Sequence, residues 1–142
     1  MIGPTMTPEI LARITAARAA RDISDLARQA VGTTAETTSA TERIEKARRL
    51  RQLVNEYVDR VVLAEVLAGA EWPEVAQALS RRDPGTVEEE YADAITEWSA
   101  LTEDEANEAA AGVEALDDWF ARHREDHDPD LEKPVADLLN RH

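Results

Sequence analysis

No cysteine occurs anywhere in the 142 residues, which excludes disulfides, thiolate metal sites and cysteine nucleophiles in one step. Histidine is nearly as scarce, with three copies, and neither a glycine-rich phosphate loop nor a serine–histidine–acid set is present. Carboxylates alone remain as candidate catalytic groups, and on exposed helices they lack the burial that tunes an acid or base. The chain therefore reads as a non-enzymatic protein without a cofactor. Long apolar runs are missing too. The longest, Val61 to Ala70, is broken by Glu65 and falls far short of a membrane span. The start, MIGPTMTPEI, lacks a basic stretch followed by an apolar one, so no export signal is read there and a cytoplasmic location is expected. No alternation of apolar residues marks a strand, and no internal repeat is found.

What is abundant is negative charge. Thirty acidic residues against sixteen basic ones give −14, and the excess is unevenly placed. Residues 1–60 carry ten basic and eight acidic side chains, whereas residues 61–142 carry six and twenty-two. Tyr91 to Phe120 holds nine carboxylates and no cation. Such a surface repels nucleic acid and anionic membranes at long range and attracts basic partners. The length suits one domain.

Helix signals punctuate the chain. Thr7-Pro8-Glu9 is a capped start with proline in the first turn, followed by Ile10, Leu11, Ile14, Ala17 and Ala20 at helical spacing. A second start at Asp22 leads to Gly32, so this segment is one bent helix or two short ones. TTAETTSA reads as a loop, because hydroxyl side chains compete for backbone hydrogen bonds. Ser39 with Glu42 predicts a capping box opening the longest helix, on which Leu50, Val54, Tyr57, Val61, Ala64 and Ala68 share one stripe. From Val58 onward Val62, Leu63, Val66 and Leu67 fill the other faces, which places the centre of the core at Val58 to Ala68. Gly69 is placed to end that helix. Pro73 opens a short helix, Asp83-Pro84 the next, and Thr102 with Glu105 a further one running to about Arg124, expected alongside the core segment. The expectation is an all-α fold: a single compact domain of five or six helices over residues 1–124, then an acidic tail, 125–142, whose short helix at Val135 to Asn140 docks back or stays free. Trp72, Trp98 and Trp119 each fall on an apolar stripe and read as core anchors.

Ala70 to Tyr91, AEWPEVAQALSRRDPGTVEEEY, has the outline of a helix-turn-helix. Together with the alanine-rich stretch before it, this segment resembles the helix-turn-helix of small actinobacterial regulators over about Leu63 to Trp98. The resemblance implies a DNA-binding transcriptional regulator, with Trp72, Val75, Ala76 and Leu79 facing the core and Ala76 where the two helices cross. Two features depart from that pattern. Ser80 stands where a turn glycine is usual, with Arg81 after it and a connection one residue longer. The second helix also presents Glu89 and Asp93 outward, flanked by Glu88 and Glu90. Specific DNA binding needs cations on phosphates and donors on base edges. Each like-charge approach costs on the order of 1 kcal/mol even in water, so four carboxylates offset a good base contact of about 1–3 kcal/mol. A glutamate run in the first turn of a helix has a plain alternative, since the helix dipole favours it there.

Three functional readings follow. The leading one is a regulatory or adaptor protein holding a basic protein partner through Glu88, Glu89, Glu90 and Asp93. The alternative is the DNA-binding regulator, with phosphate contacts from the cluster Arg43, Lys46, Arg48, Arg49 and Arg51 and from Arg81 and Arg82; the plainer role for that cluster, and the one expected first, is to neutralise the acidic half within the fold. The third is an acidic mimic of DNA. No membrane partner is expected, and the stripe at Leu50, Val54 and Tyr57 suits either a dimer or an intramolecular cover. His123 and His127, four apart beside Asp126, Asp128 and Asp130, have a zinc-like spacing if helical. Pro129 interrupts the helix, and Leu131 occupies the position where a calcium loop needs glycine, so a solvated tail without metal is expected.

Overall fold

The computed structural model describes residues 6–35 and 37–140. Residues 1–5, Glu36, Arg141 and His142, which belong to the expected N-terminal segment, loop and tail, lie outside the described residues. The fold is all-α: α1 (Pro8–Gly32), α2 (Ala40–Leu67), α3 (Trp72–Ala78), α4 (Pro84–Ser99), α5 (Glu103–Ala111), α6 (Val113–His123) and a single turn, α7 (Ala136–Leu139), with no strand among the described residues. No described helix is long and apolar enough to cross a membrane.

α1 is one continuous helix, so Asp22 does not restart it; Arg21 Nε pairs with the Asp22 carboxylate at 3.3 Å instead. The Thr7 side chain accepts from the Ile10 N–H at 3.1 Å. The threonines after α1 donate to carbonyls one turn back, Thr33 to Ala30 and Thr34 to Val31, both at 2.8 Å. Thr33–Ala35 continue α1 as a tighter 3-10 turn, where the sequence suggested loop from Thr33 onward. Ser39 caps α2 by accepting from Glu42 N–H at 3.1 Å. α1 and α2 then run antiparallel, with Arg13 bonded to Glu65 near one end at 3.1 Å and Leu26 beside Arg43 and Lys46 near the other.

The interior is divided among three clusters. Ile10, Leu11 and Ile14 of α1 meet Ala109 of α5, Val113 and Leu116 of α6, and Val135. Val62 of α2 meets Val75 and Ala76 of α3 and Val87 and Tyr91 of α4. Between them Ala12 packs on Leu63 and Ala64, a small side chain letting the two long helices approach closely. Ile95 and Trp98 of α4 touch more than one cluster and tie them together.

The Val58 to Ala68 segment is therefore central only in part, and not surrounded on all sides as its composition suggested. Val62, Leu63 and Ala64 are buried, but Val58 and Tyr57 are each 36% exposed and Val54 is 41% exposed. α1 covers one side of α2 and the α3–α4 pair another, and no described element lies over the third. The helix from Glu103 also differs from expectation. It breaks at Gly112 into α5 and α6, and both pack on α1 rather than on the α2 segment. All three tryptophans are half-buried: Trp72 packs against the second cluster and stacks on Tyr91, Trp98 packs against the first and third beneath Arg60, and Trp119 bonds Asp25 through its indole N–H at 3.3 Å.

The tail returns to the body. Asp117, buried on α6, accepts from the backbone N–H of Val135 at 2.8 Å and of Ala136 at 3.0 Å. A carboxylate from one helix thus satisfies the free amides that open another, and Val135 completes the largest apolar cluster.

Candidate interaction surface

α3 ends in a tight reversal. The Arg81 N–H donates to the Ala76 carbonyl at 2.8 Å and the Ser80 N–H to Gln77 at 3.0 Å, while Ser80 takes the left-handed conformation with φ 59°. The end of α2 is built the same way, with Gly69 at φ 110°, its N–H on Val66 and that of Ala70 on Glu65. This six-residue motif normally takes glycine at its left-handed position. Ser80 therefore keeps the turn that a glycine would make, and bears the steric cost.

α4 opens on Asp83, whose Oδ1 accepts from the Gly85 N–H at 3.0 Å and whose Oδ2 accepts from the Thr86 hydroxyl at 2.7 Å. The hydroxyl bond first, then the amide bond, hold this carboxyl below the ordinary aspartate value. The first turn carries no acidic residue. Glu88 to Glu90 thus lie a turn further in than expected, where the dipole's benefit has largely faded. The plain dipole explanation for the glutamate run does not fit this helix.

At 100° per residue, Glu89, Glu90 and Asp93 share one arc of α4, and Glu97 joins them. Glu88 falls on the opposite flank. All five are exposed. Arg81 pairs with Glu90 at 3.0 Å, whereas Glu88, Glu89, Asp93 and Glu97 have no cation within 4 Å among the described residues. Glu89, Asp93 and Glu97 step by four, about 6 Å apart along the axis, and each like-charge pair at that spacing costs a few tenths of a kcal/mol. Beneath the arc, Tyr91 is buried and donates to Asp59 at 2.8 Å; burial first, then that bond, push its phenol well above the ordinary tyrosine value.

The expected nucleic-acid contacts do not converge. Arg43, Lys46 and Arg49 line a groove of about 430 Å³ beside Leu26, Thr33, Glu42 and Glu45, while Arg48 and Arg51 leave α2 on other sides. This cluster lies some sixteen residues along α2 from the segment that packs against α3 and α4, roughly 24 Å. Arg82 is exposed, and Arg81 is engaged with Glu90. His123 is the last residue of α6, its ring stacked on Trp119 and its Nδ1 on the Trp119 carbonyl at 2.8 Å. His127 lies beyond the helix, so the two histidines do not share a helical face. Among the described residues no group of three or more potential ligands gathers for a metal ion.

The chain matches no family model, no curated protein and no solved structure. Geometry alone carries the functional reading.

Two features escaped the sequence. Glu97 was legible, since it continues the four-residue step from Glu89 and Asp93. Asp117 was not, because nothing local distinguishes it from Asp118, which is exposed.

A second polar groove, of about 290 Å³, lies between α1, α2, α4 and α5, where Arg18 and Arg60 face Glu97, Glu105 and Glu108. Arg60 sits 4.9 Å from the centroid of the Trp98 ring, and Arg18 passes over Gly112, where a Cβ would stand 3.0 Å from its Nη2. These two cations are enclosed by the fold's own acids. Glu97 thus borders both this groove, where Arg18 and Arg60 lie across from it, and the outer row that begins at Glu89 and Asp93.

Proposed function

We propose that this protein is a non-enzymatic adaptor or regulatory module that holds a basic protein partner on the outer arc of α4. The observation that carries the reading is the row Glu89, Asp93 and Glu97: exposed, regularly stepped and with no cation within 4 Å among the described residues, Glu97 alone also bordering the groove that holds Arg18 and Arg60. Mutual repulsion along the row weakens the helix unless a cationic surface offsets it, and desolvated contact with lysine or arginine turns that cost into attraction. Glu90, already paired with Arg81, contributes less, and Glu88 borders the surface from the other flank.

The regular step also supports a narrower form of this proposal, in which the partner is itself a nucleic-acid-binding protein and the row occupies the place of phosphates. The DNA-binding reading rests on the helix-turn-helix-like order of α3 and α4 and on the left-handed turn at Ser80. It requires carboxylates to settle among phosphates, with the cations some distance away. Affinity capture with the parent chain and with Glu89→Gln/Asp93→Asn/Glu97→Gln tests these together. Recovery of basic proteins by the parent and its loss in the variant supports the proposal, and recovery that ignores the substitutions removes this surface from it. A low-salt mobility shift with mixed duplex DNA is expected to show no retention. Strong retention that weakens with salt favours the regulator instead.

A further inference from the structure

The uncovered side of α2 is apolar and continuous. Leu50, Val54, Tyr57, Val58 and Val61 follow one another along it, and the strip runs into a groove of about 250 Å³ floored by Val62, Val75, Ala78 and Leu79. The only charged side chains lining that groove are Glu65 and Glu74. An exposed strip of this kind is costly in water and marks an interaction surface.

What covers it is indicated by charge. α2 spans 28 residues, about 42 Å, and its two ends differ in sign. Residues 43–51 of α2 hold five cations and one carboxylate, net +4, while its last nine residues, 59–67, hold one cation and two carboxylates, net −1, and Glu71 and Glu74 at the start of α3 bring residues 59–74 to net −3. The apolar strip lies between. A second helix with the same gradient is complementary only when reversed: a parallel copy sets cations on cations and carboxylates on carboxylates.

We propose that this face is a homodimer interface, in which a second copy of the chain lies antiparallel across α2 about a two-fold axis near Val58. Such an interface is self-complementary by symmetry. The axis places Arg51 of each copy opposite Glu65 of the other, brings the Arg43 end toward Glu74, and sets Val54 and Val58 against the partner's strip. The interface is independent of the α4 arc, so the dimer presents two acidic rows and binds bivalently whatever their target.

Sedimentation and light scattering give the mass. A value twice the 15.7 kDa of the chain is expected, and a monomer throughout the micromolar range overturns the proposal. Val58→Asp is expected to give a monomer with unchanged helical circular dichroism. Arg51→Glu is expected to loosen the dimer by about tenfold, through two lost ion pairs and two new repulsions. Arg51→Glu/Glu65→Arg restores it, since Arg13 retains its bond to Glu9 at 2.9 Å. The absence of native cysteine makes introduced thiols unambiguous reporters of orientation. Val58→Cys is expected to cross-link to its own copy, and Arg51→Cys to cross-link only when Glu65→Cys is also present. Cross-linking of Arg51→Cys alone would show a parallel pair and refute the arrangement.

Discussion

Asp117 is the residue on which the C-terminal segment depends. Its two oxygens accept from Val135 and Ala136 at 2.8 and 3.0 Å, and the Val135 bond is buried. Asp117→Ala leaves both amides without a partner. A hydrogen bond to a charged acceptor is worth about 1.5–3 kcal/mol. The Ala136 amide, only partly buried, regains water, and removing the carboxylate also ends its desolvation cost. The expected net loss is about 2–4 kcal/mol, a large share of the 5–15 kcal/mol typical of a domain. Asp117→Asn turns an amide group toward one of the two donors and is expected to lose nearly as much. Val135→Ala removes two carbons from the main cluster at about 2 kcal/mol. The double variant should lose less than the two singles together, because each frees the same segment. Urea unfolding gives the stabilities, and amide exchange at Val135 and Ala136 reports the bonds themselves. An Asp117→Ala variant within 0.5 kcal/mol of the parent, with protection at both amides retained, would refute this role.

The two left-handed turns make opposite tests. Gly69→Ala should destabilise by about 1–2 kcal/mol, since its φ of 110° is hostile to a side chain, whereas Ser80→Gly should stabilise by roughly 0.5–1 kcal/mol in thermal unfolding. Asp83 has its folded pKa lowered from 3.8. Its stabilisation is therefore present above pH 3.8 and lost as the pH falls through the lower folded value. Asp83→Asn keeps a capping oxygen without titrating, so the stability difference between parent and variant should change below about pH 4 and stay flat above it. Tyr91 has its folded pKa raised from 10.0. Its contribution holds below pH 10 and disappears as the pH rises toward the folded value, so Tyr91→Phe should cost about 1 kcal/mol at neutral pH and close the gap in strong alkali.

Helix starts were the most legible part of the sequence, because a cap is a local event. Thr7, Ser39, Asp83 and Thr102 all sit at the caps expected of them, and Thr102 with Glu105 forms the reciprocal pair. The inward stripe of α4 was legible for the same reason: Val87 and Tyr91 are buried, with Ala94 and Trp98 half-buried behind them. Which face finds a neighbour is not local. Val58 reads like Val62, yet only Val62 is buried against α3 and α4, so composition drew the core segment too wide. Gly112 gave little sign of dividing α5 from α6, since an isolated glycine is tolerated within a helix. The carboxylates were visible as a run. The pairing of Glu90 was not, because it depends on where the turn at Ser80 places Arg81.

The row on α4 is set against many other carboxylates, so location rather than binding alone decides its role. An amide-resolved NMR titration with a lysine-rich peptide provides that location. Perturbations concentrated at Glu89, Asp93 and Glu97, with little change at Glu103 to Glu108 or at Glu114 and Asp118, are expected if α4 is the partner surface. Perturbations spread evenly over α4, α5 and α6, or gathered away from α4, would contradict it.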